Sequence, residues 1–514
     1  MEKLDSTSTE NKSEMKRSLG LYDATMLVAG SMIGSGIFIV SADMSRVVGS
    51  AGWLLFLWVL SGVITMIAAL CYGELAGMMP KAGGQFVYIE RAYGKFVSFL
   101  YGWTVFTVIQ TGVIAAVAVA FAKFSAVFFP AVSPDNILFV IGPLKIAASQ
   151  ILAIVLIVFL TFINSRGIQN GKMIQTIFTS AKLLALALLI VLGIVMGLQY
   201  NTLGGNLHDM WNAQTTFKLE DGSWAIKNIS GIALLLALGT AIIGSLFSSD
   251  AWNNVTFIAG EIREPQKNIP RSLIMGTGIV TVLYLLANVS YLSLLPLKGT
   301  AHATDIIGQG IQFAGGGTDR VGTAAASLML GKLPDYLSFL NPIYIMAALI
   351  MISTFGCNNG IILAGGRVYY AMAKEGLFFK QAARLNKNGV PAYAMWVQAA
   401  WASVLCLSGT YGQLLNYTTF ASLLFYIVTI GGIFILRSRE PNAERPYKVI
   451  GYPLLPILYI VLALSICGIL LKTQTFDTGC GLFIVALGAP FYFVAKWMNG
   501  RSKISGDSPL DSHI

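Results

Sequence analysis

"GSMIGSGIFIV", residues Gly30 to Val40, lies in the first long apolar run of the chain, yet three of its eleven residues are glycine and two are serine. A glycine inside a helix costs roughly 1 kcal/mol relative to alanine, so such a cluster calls for a reason beyond filling space. The surrounding composition narrows that reason. Of 514 residues, 55% are hydrophobic and 11% charged, against about a quarter charged in soluble domains. Apolar runs of the length a bilayer requires, about 20 residues, recur from Leu21 to Trp497.

We place twelve spans, near 20–45, 52–79, 96–128, 147–163, 173–197, 229–259, 271–296, 339–373, 392–409, 413–436, 453–471 and 478–499. The expected fold is an all-α integral membrane protein. A polar tail (1–19) precedes a single membrane domain (20–499), and a second tail (500–514) follows it. The runs at 96–128, 229–259 and 339–373 exceed what a bilayer needs, which implies tilting, bending or extension into water. The first run is too long for a secretory h-region, so no cleaved leader is expected.

Lysine and arginine fall mainly on one side of this topology, roughly 24 against about 9. Both termini are therefore expected to be cytoplasmic. The net charge of +10 is spread over short loop clusters that fix topology, and nucleic-acid binding is not expected. Cys71, Cys357, Cys406, Cys467 and Cys480 lie within or beside apolar runs and share no metal-ligand spacing. They read as small buried hydrophobes, with no metal and no cofactor implied. The three histidines, His208, His302 and His513, sit in loops or the tail, so no intramembrane histidine relay is available. No GxxxxGK[ST], HExxH or GxSxG motif occurs, which argues against ATP hydrolysis and the commoner hydrolases. Gradient-driven transport or exchange remains.

Interruptions at corresponding positions of two halves are the best sequence pointer to a transporter's binding site. "IGSGIF" (Ile33–Phe38) interrupts the first span, and five spans later "IGSLFSSDAWNN" (Ile243–Asn254) interrupts the sixth. Lipid cannot satisfy freed backbone groups, so such breaks belong where protein, water or substrate can. A half-helix starting near Ser35 would present the amides of Ser35, Gly36 and Ile37 to a carboxylate. The carbonyls of Met32 and Ile33, and those from Phe247 through Ser248 to Asp250, would suit an ammonium. Both groups on one carbon make an α-amino acid. The alternative for Gly30 and Gly34 is close helix packing through small residues.

The chain here resembles the amino acid-polyamine-organocation superfamily, and within it the L-type amino acid transporters and related permeases. The likeness rests on "GSMIGSGIF", "YGELAGMMPKAGGQFVYIERAYG" (Tyr72–Gly94), "FSSDAWNNVTFIAGEIREPQKNIPRS" (Phe247–Ser272), "GGRVYYAMAKEGLFFK" (Gly365–Lys380) and "ERPYKVIGYPLLP" (Glu444–Pro456). It implies a LeuT-like fold with inverted repeats of five helices (about 20–197 and 229–436) plus two extra helices (453–499). The implied function is secondary transport of α-amino acids by alternating access, as a sodium-independent exchanger or a proton-coupled permease. Carboxylate contacts then fall on Ser35 and Gly36, and amino contacts on carbonyls of Met32, Phe247 and Asp250, with Phe247 as the aromatic closing over the substrate. Many L-type members carry a glycine pair where this chain has Asp250 and Ala251. Asp250 therefore leaves open an organic-cation or polyamine carrier, a proton role, or pairing within the protein. Asn416 and Phe420 align only loosely with a selectivity region.

Lys182, in "TIFTSAKLLALALL", lies about nine residues into the fifth span, roughly 13 Å along it, where a free ammonium is costly. In sodium-coupled relatives of this fold a bound cation bridges spans 1 and 8, and the resemblance implies that a lysine takes its place. Gly30, Met32, Ser353 and Thr354 are the candidate neighbours, and snorkelling to the interface is the alternative. Glu74, Glu261 and Arg166 are expected to form ion pairs near the ends of spans. A nontransporting sensor is the reading from outside transport. No cysteine lies between Cys71 and Cys357, so no disulfide-linked partner is expected, and the functional unit is expected to be a monomer in the cell membrane.

Overall fold

The helices begin and end where the chain's glycine, proline and polar clusters place them. The computed structural model describes residues 15, 17–141, 144–314, 320–330, 341–408 and 411–504. Most of the N-terminal tail, part of the glycine-rich loop at 315–319, and the C-terminal tail from 505 with His513 lie outside the described residues. The first span is two helices, α1 (Leu21–Met32) and α2 (Gly36–Val48), separated at Ile33, Gly34 and Ser35. Then come α3 (Ala51–Met78), a loop helix α4 (Gln85–Tyr93), α5 (Lys95–Thr104), a π-helical turn (Val105–Ile109) and α6 (Gln110–Ser125). The hairpin β1 (Ile137–Ile141) and β2 (Leu144–Ala147) leads into α7 (Ala148–Ser165) and α8 (Ile168–Gly197).

A short helix α9 (Thr202–His208) and a second hairpin, β3 (Gln214–Lys218) with β4 (Trp224–Asn228), fill the next long loop. The sixth span is α10 (Gly231–Ser248), an irregular stretch, and a one-turn α11 (Asn254–Phe257). It is followed by α12 (Pro265–Leu294), α13 (Ile306–Gln309), α14 (Val321–Leu330), α15 (Pro342–Lys374), α16 (Ala392–Ser408), α17 (Tyr411–Arg439), α18 (Leu454–Thr473) and α19 (Thr475–Ile504). Among the described residues, 11 helices are long and apolar enough to cross a membrane, and the ninth apolar run forms a shorter helix.

The spans are helical throughout, as an all-α membrane protein requires, and the strands are confined to two antiparallel hairpins in loops, which the sequence reading does not anticipate. In the second hairpin Gln214 pairs with Asn228 and Lys218 with Trp224 across an Asp221-Gly222 turn. Alternating residues such as "QTTFK" and "WAIKN" suit paired strands, but a loop this polar gave no membrane-scale signal. The run at 339–373 is one unbroken 33-residue helix, and the long third span is continuous too, interrupted only by the π turn at Val105–Ile109.

The buried side chains concentrate between α1, α2, α3, α6, α8, α12 and α15, while residues such as Leu184, Val191 and Val461 face outward as lipid-facing apolar surface. The segment before α1 is strapped to the stretch after α11. Ser18 and Leu19 donate backbone hydrogen bonds to Glu261 O at 2.9 and 3.0 Å, and Arg263 N returns one to Leu19 O at 2.8 Å.

Candidate functional site

The break in the first span frees the carbonyls at the end of α1, which cannot be left unpaired in a water-free interior. Each is taken by a side chain from another helix. Lys182 Nζ, on α8, lies 2.5 Å from Gly30 O, 2.7 Å from Ile33 O and 3.4 Å from Ser353 O on α15. Cys357 Sγ donates to Ser31 O at 3.0 Å, and Tyr284 Oη on α12 is 3.0 Å from Met32 O. Ser353 Oγ lies 3.2 Å from Ile33 O and 3.1 Å from Gly34 O. The ends of α1 are thus held by α8, α12 and α15, and Lys182 is only 2% exposed, so it does not snorkel. Of its four candidate neighbours, Gly30 and Ser353 accept from it; Met32 O faces Tyr284 instead, and the Thr354 hydroxyl turns back to Ile350 O at 2.8 Å.

Beyond the break, α2 starts at Gly36 with the amides of Gly36 and Ile37 in its first turn, where no intrahelical acceptor exists. Met32, Ile33, Ser35 and Ile37 are buried. A methyl group at Gly36 would sit 2.1 Å from Ser248 Oγ and 3.1 Å from Ser248 Cα, so this glycine lets the start of α2 close on the end of α10. At Gly30 the same position would lie 2.1 Å from Gln175 Nε2 and 2.2 Å from Thr179 Oγ1 of α8. Close packing thus accounts for both glycines. Gly34 faces the Cys357 thiol, whose Sγ lies 3.2 Å from that position.

The sixth-span break is organised differently. Asp250 N donates to Phe247 O at 3.1 Å, and Ser248 O meets Tyr284 Oη at 3.0 Å. Phe247 is 8% exposed. The Asp250 carboxylate turns to α17, accepting from Tyr426 Oη at 2.5 Å and Ser422 Oγ at 3.2 Å. Ala251 adopts φ +64, a left-handed conformation that costs a non-glycine residue about 1 kcal/mol or more. Two cavities of about 20 Å³ flank Asp250, each with room for about one water. The first is lined by Gln110, Asp250, Ala251, Asn254 and the π turn's Val105 and Ile109, and by none of residues 32–37.

Towards the N-terminal face, a vestibule of about 510 Å³ is bordered by Lys81, Glu90, Lys374 and Glu375. Burial and the adjacent Glu375 push the Glu90 carboxyl above its ordinary range, against the pull of Lys95 and Lys81. Neighbouring residues of the same segments line the vestibule (Phe86, Gly260) and the inner cavity (Gln85, Phe257). Between them the Gln85 amide uses both ends: Oε1 accepts from Tyr101 Oη and Asn253 Nδ2, each at 3.0 Å, and Nε2 donates to Thr429 Oγ1 at 2.9 Å and Phe425 O at 3.2 Å. This closed layer joins α4, α5, α17 and the segment before α11.

Glu261 is buried against Arg367 (3.1 Å), and Glu74 pairs with Arg437 (2.6 Å) and Arg445 (3.4 Å). Arg166 instead covers the Phe162 ring at 4.4 Å, and no carboxylate pairs with it among the described contacts. Asn416 bonds Asp477 at 2.8 Å, and Phe420 is buried. Sequence reading missed Tyr284, Cys357's hydrogen bond, Gln85 and Arg367. A charged residue inside an apolar run was the available signal for Arg367, whereas a tyrosine or cysteine there looks like core and Gln85 lies in a loop where a polar residue is ordinary.

A membrane bundle whose interrupted helices meet at a buried polar junction is the architecture of a solute transporter. The chain belongs to the amino acid permease family, whose profile matches residues 19–491. It is 28% identical to the Asc-type amino acid transporter 1 of Mus musculus over 95% of this chain and 83% of that protein. It is 29% identical to the b(0,+)-type amino acid transporter 1 of Homo sapiens, over 97% and 92% of the two chains. The serine/threonine exchanger SteT of Bacillus subtilis is 28% identical over 94% of this chain and 97% of its own length. The protein is an amino acid transporter of the amino acid-polyamine-organocation superfamily, embedded in a membrane by multiple spans.

Proposed function

We propose that the protein is a sodium-independent exchanger of α-amino acids that works by alternating access. The observation that carries this reading is Lys182, whose ammonium joins Gly30 O and Ile33 O to Ser353 O of α15. A fixed positive charge held by carbonyls between the first span and α15 supplies the electrostatic tie that a bound sodium ion would otherwise make. The substrate carboxylate is assigned to the amides of Ser35, Gly36 and Ile37, and its ammonium to carbonyls at the ends of α1 and α10. Met32, Ile33, Gly34, Phe247, Ser248, Asp250 and Ala251 complete the site.

The same reading counts α16 as a twelfth span and arranges the spans as a LeuT-like five-plus-five repeat, about 20–197 and 229–436, with 453–499 outside it. Two breaks five spans apart support that arrangement. It places both termini in the cytoplasm of a cell-membrane protein that acts as a monomer without a disulfide-linked partner. Exchange is preferred to proton coupling because the Asp250 carboxylate already accepts from Tyr426 and Ser422. The same engagement disfavours an organic-cation carrier.

Uptake of radiolabelled amino acids into proteoliposomes, with and without internal amino acid and under imposed sodium or proton gradients, tests this. Uptake that needs internal amino acid and ignores both gradients is the expected result. Accumulation driven by a proton gradient into empty vesicles would select a proton-coupled permease. Inhibition by polyamines lacking a carboxylate would select a cation carrier. Binding without any flux would select a sensor.

A further inference from the structure

Not every carbonyl near the two breaks is equally disposed towards a substrate ammonium. Ile33 O is engaged by Lys182 and Ser353, and Phe247 O by the amide of Asp250. The last carbonyls of the two first half-helices, Met32 O of α1 and Ser248 O of α10, converge instead on one group, the Tyr284 hydroxyl, at 3.0 Å each. That hydroxyl has a single proton to share between two acceptors. The ring is 1% exposed and packs edge-on against Trp58 at 5.3 Å, so the phenol is fixed by α3 and α12 rather than by either broken helix. Ser248 is also the residue against which Gly36 closes, so the end of α1, the start of α2 and the end of α10 are gathered around it.

We propose that Tyr284 is a positioning residue for substrate recognition. Its hydroxyl holds Met32 O and Ser248 O together, so that the α-ammonium of a bound amino acid is shared between them. This rests on the proposed amino acid exchange and adds the element that aligns the ammonium's acceptors. The phenol keeps two carbonyl oxygens, each partially negative, close in the absence of substrate. An ammonium, with three donors, adds what one hydroxyl proton cannot supply to both. The consequence is specific: loss of the hydroxyl weakens recognition of the amino group and leaves recognition of the carboxylate alone.

The test is Tyr284→Phe in proteoliposome exchange, measuring KM and maximal rate for neutral L-amino acids, together with inhibition by the matching carboxylic acids that lack the α-amino group. The expected result is a KM raised about tenfold, about 1.4 kcal/mol of recognition, with maximal rate and desamino-acid inhibition within twofold of the parent. An unchanged KM overturns the proposal. So does a fall in maximal rate with weakening of both ligand classes alike, since that marks a general packing role. If Tyr284→Phe does not accumulate, 3,5-difluorotyrosine at position 284 keeps the shape and strengthens the donor, and an unchanged KM there overturns the proposal equally. Absence of amino acid exchange in the parent protein refutes the exchanger reading itself, whereas parental exchange with an indifferent Tyr284→Phe refutes this inference alone.

Discussion

Lys182→Met is the most direct perturbation of the junction, because it keeps the length and apolar stem of the side chain and removes only the ammonium. Three acceptors are affected. Gly30 O at 2.5 Å loses its donor outright, Ile33 O at 2.7 Å retains the Ser353 hydroxyl, and Ser353 O at 3.4 Å loses a long contact. A hydrogen bond from a charged donor is worth about 1.5–3 kcal/mol, and an orphaned buried carbonyl costs about 1–3 kcal/mol. Against this, the variant no longer desolvates an ammonium, a saving of several kcal/mol. The net change in stability is therefore small, about 1–2 kcal/mol of destabilisation, because the two large terms oppose each other. The cycle has no such offset: without the ammonium nothing charged links α1 to α15, and exchange should fall by at least tenfold.

The assay pairs the thermal midpoint of the purified protein with exchange in proteoliposomes, so that a folding defect is separated from a transport defect. Lys182→Arg should fail as well, since a planar guanidinium cannot reproduce an ammonium seated among three carbonyls. Replacing sodium by choline should leave parental uptake unchanged. Parental exchange rates in Lys182→Met, or steep sodium dependence in the parent, would refute the reasoning.

Three further outcomes follow from the contacts around the breaks. Gly36→Ala should lower both stability, by about 1–3 kcal/mol of overpacking, and exchange, and adding Ser248→Gly should recover much of the stability; thermal midpoints of the single and double variants decide it. Asp250→Asn should weaken the tie to Tyr426 and Ser422 and reduce exchange along with the thermal midpoint, and loss of proton-driven accumulation with exchange intact would contradict this structural role. Glu261→Gln should cost about 3–5 kcal/mol by leaving the Arg367 guanidinium buried without its carboxylate, and Glu261→Gln with Arg367→Met should restore much of the detergent-stable yield.

The fold's outline was legible because the bilayer imposes one length and one polarity on each span, and both are written in runs of residues. Loops carry no such constraint, which is why the hairpin of Gln214–Lys218 with Trp224–Asn228 escaped notice. α16 is the shortest of the twelve proposed spans: its 17 residues reach about 25 Å at 1.5 Å per residue, at the lower limit of about 17 residues for a helix that crosses a bilayer.

The breaks themselves were legible for a complementary reason. Gly34, Ser35 and Gly36, or Ser248, Ser249 and Asp250, are poor choices for a lipid-facing helix, so their presence marks irregular backbone. What occupies the freed groups is a tertiary fact, and sequence disclosed only the part carried by a misplaced charge. Lys182 was conspicuous because an ammonium in an apolar run demands acceptors. Tyr284 and Cys357 were not, because each is an ordinary core residue until its one polar atom is seen against a carbonyl. Gly36 shows the converse limit. The sequence marks it as part of a break, but that its missing side chain leaves room for Ser248 is seen only in the packing. The glycine lets the two broken helices meet, and that meeting sets the first amides of α2 beside the end of α10, the arrangement on which the proposed carboxylate site depends.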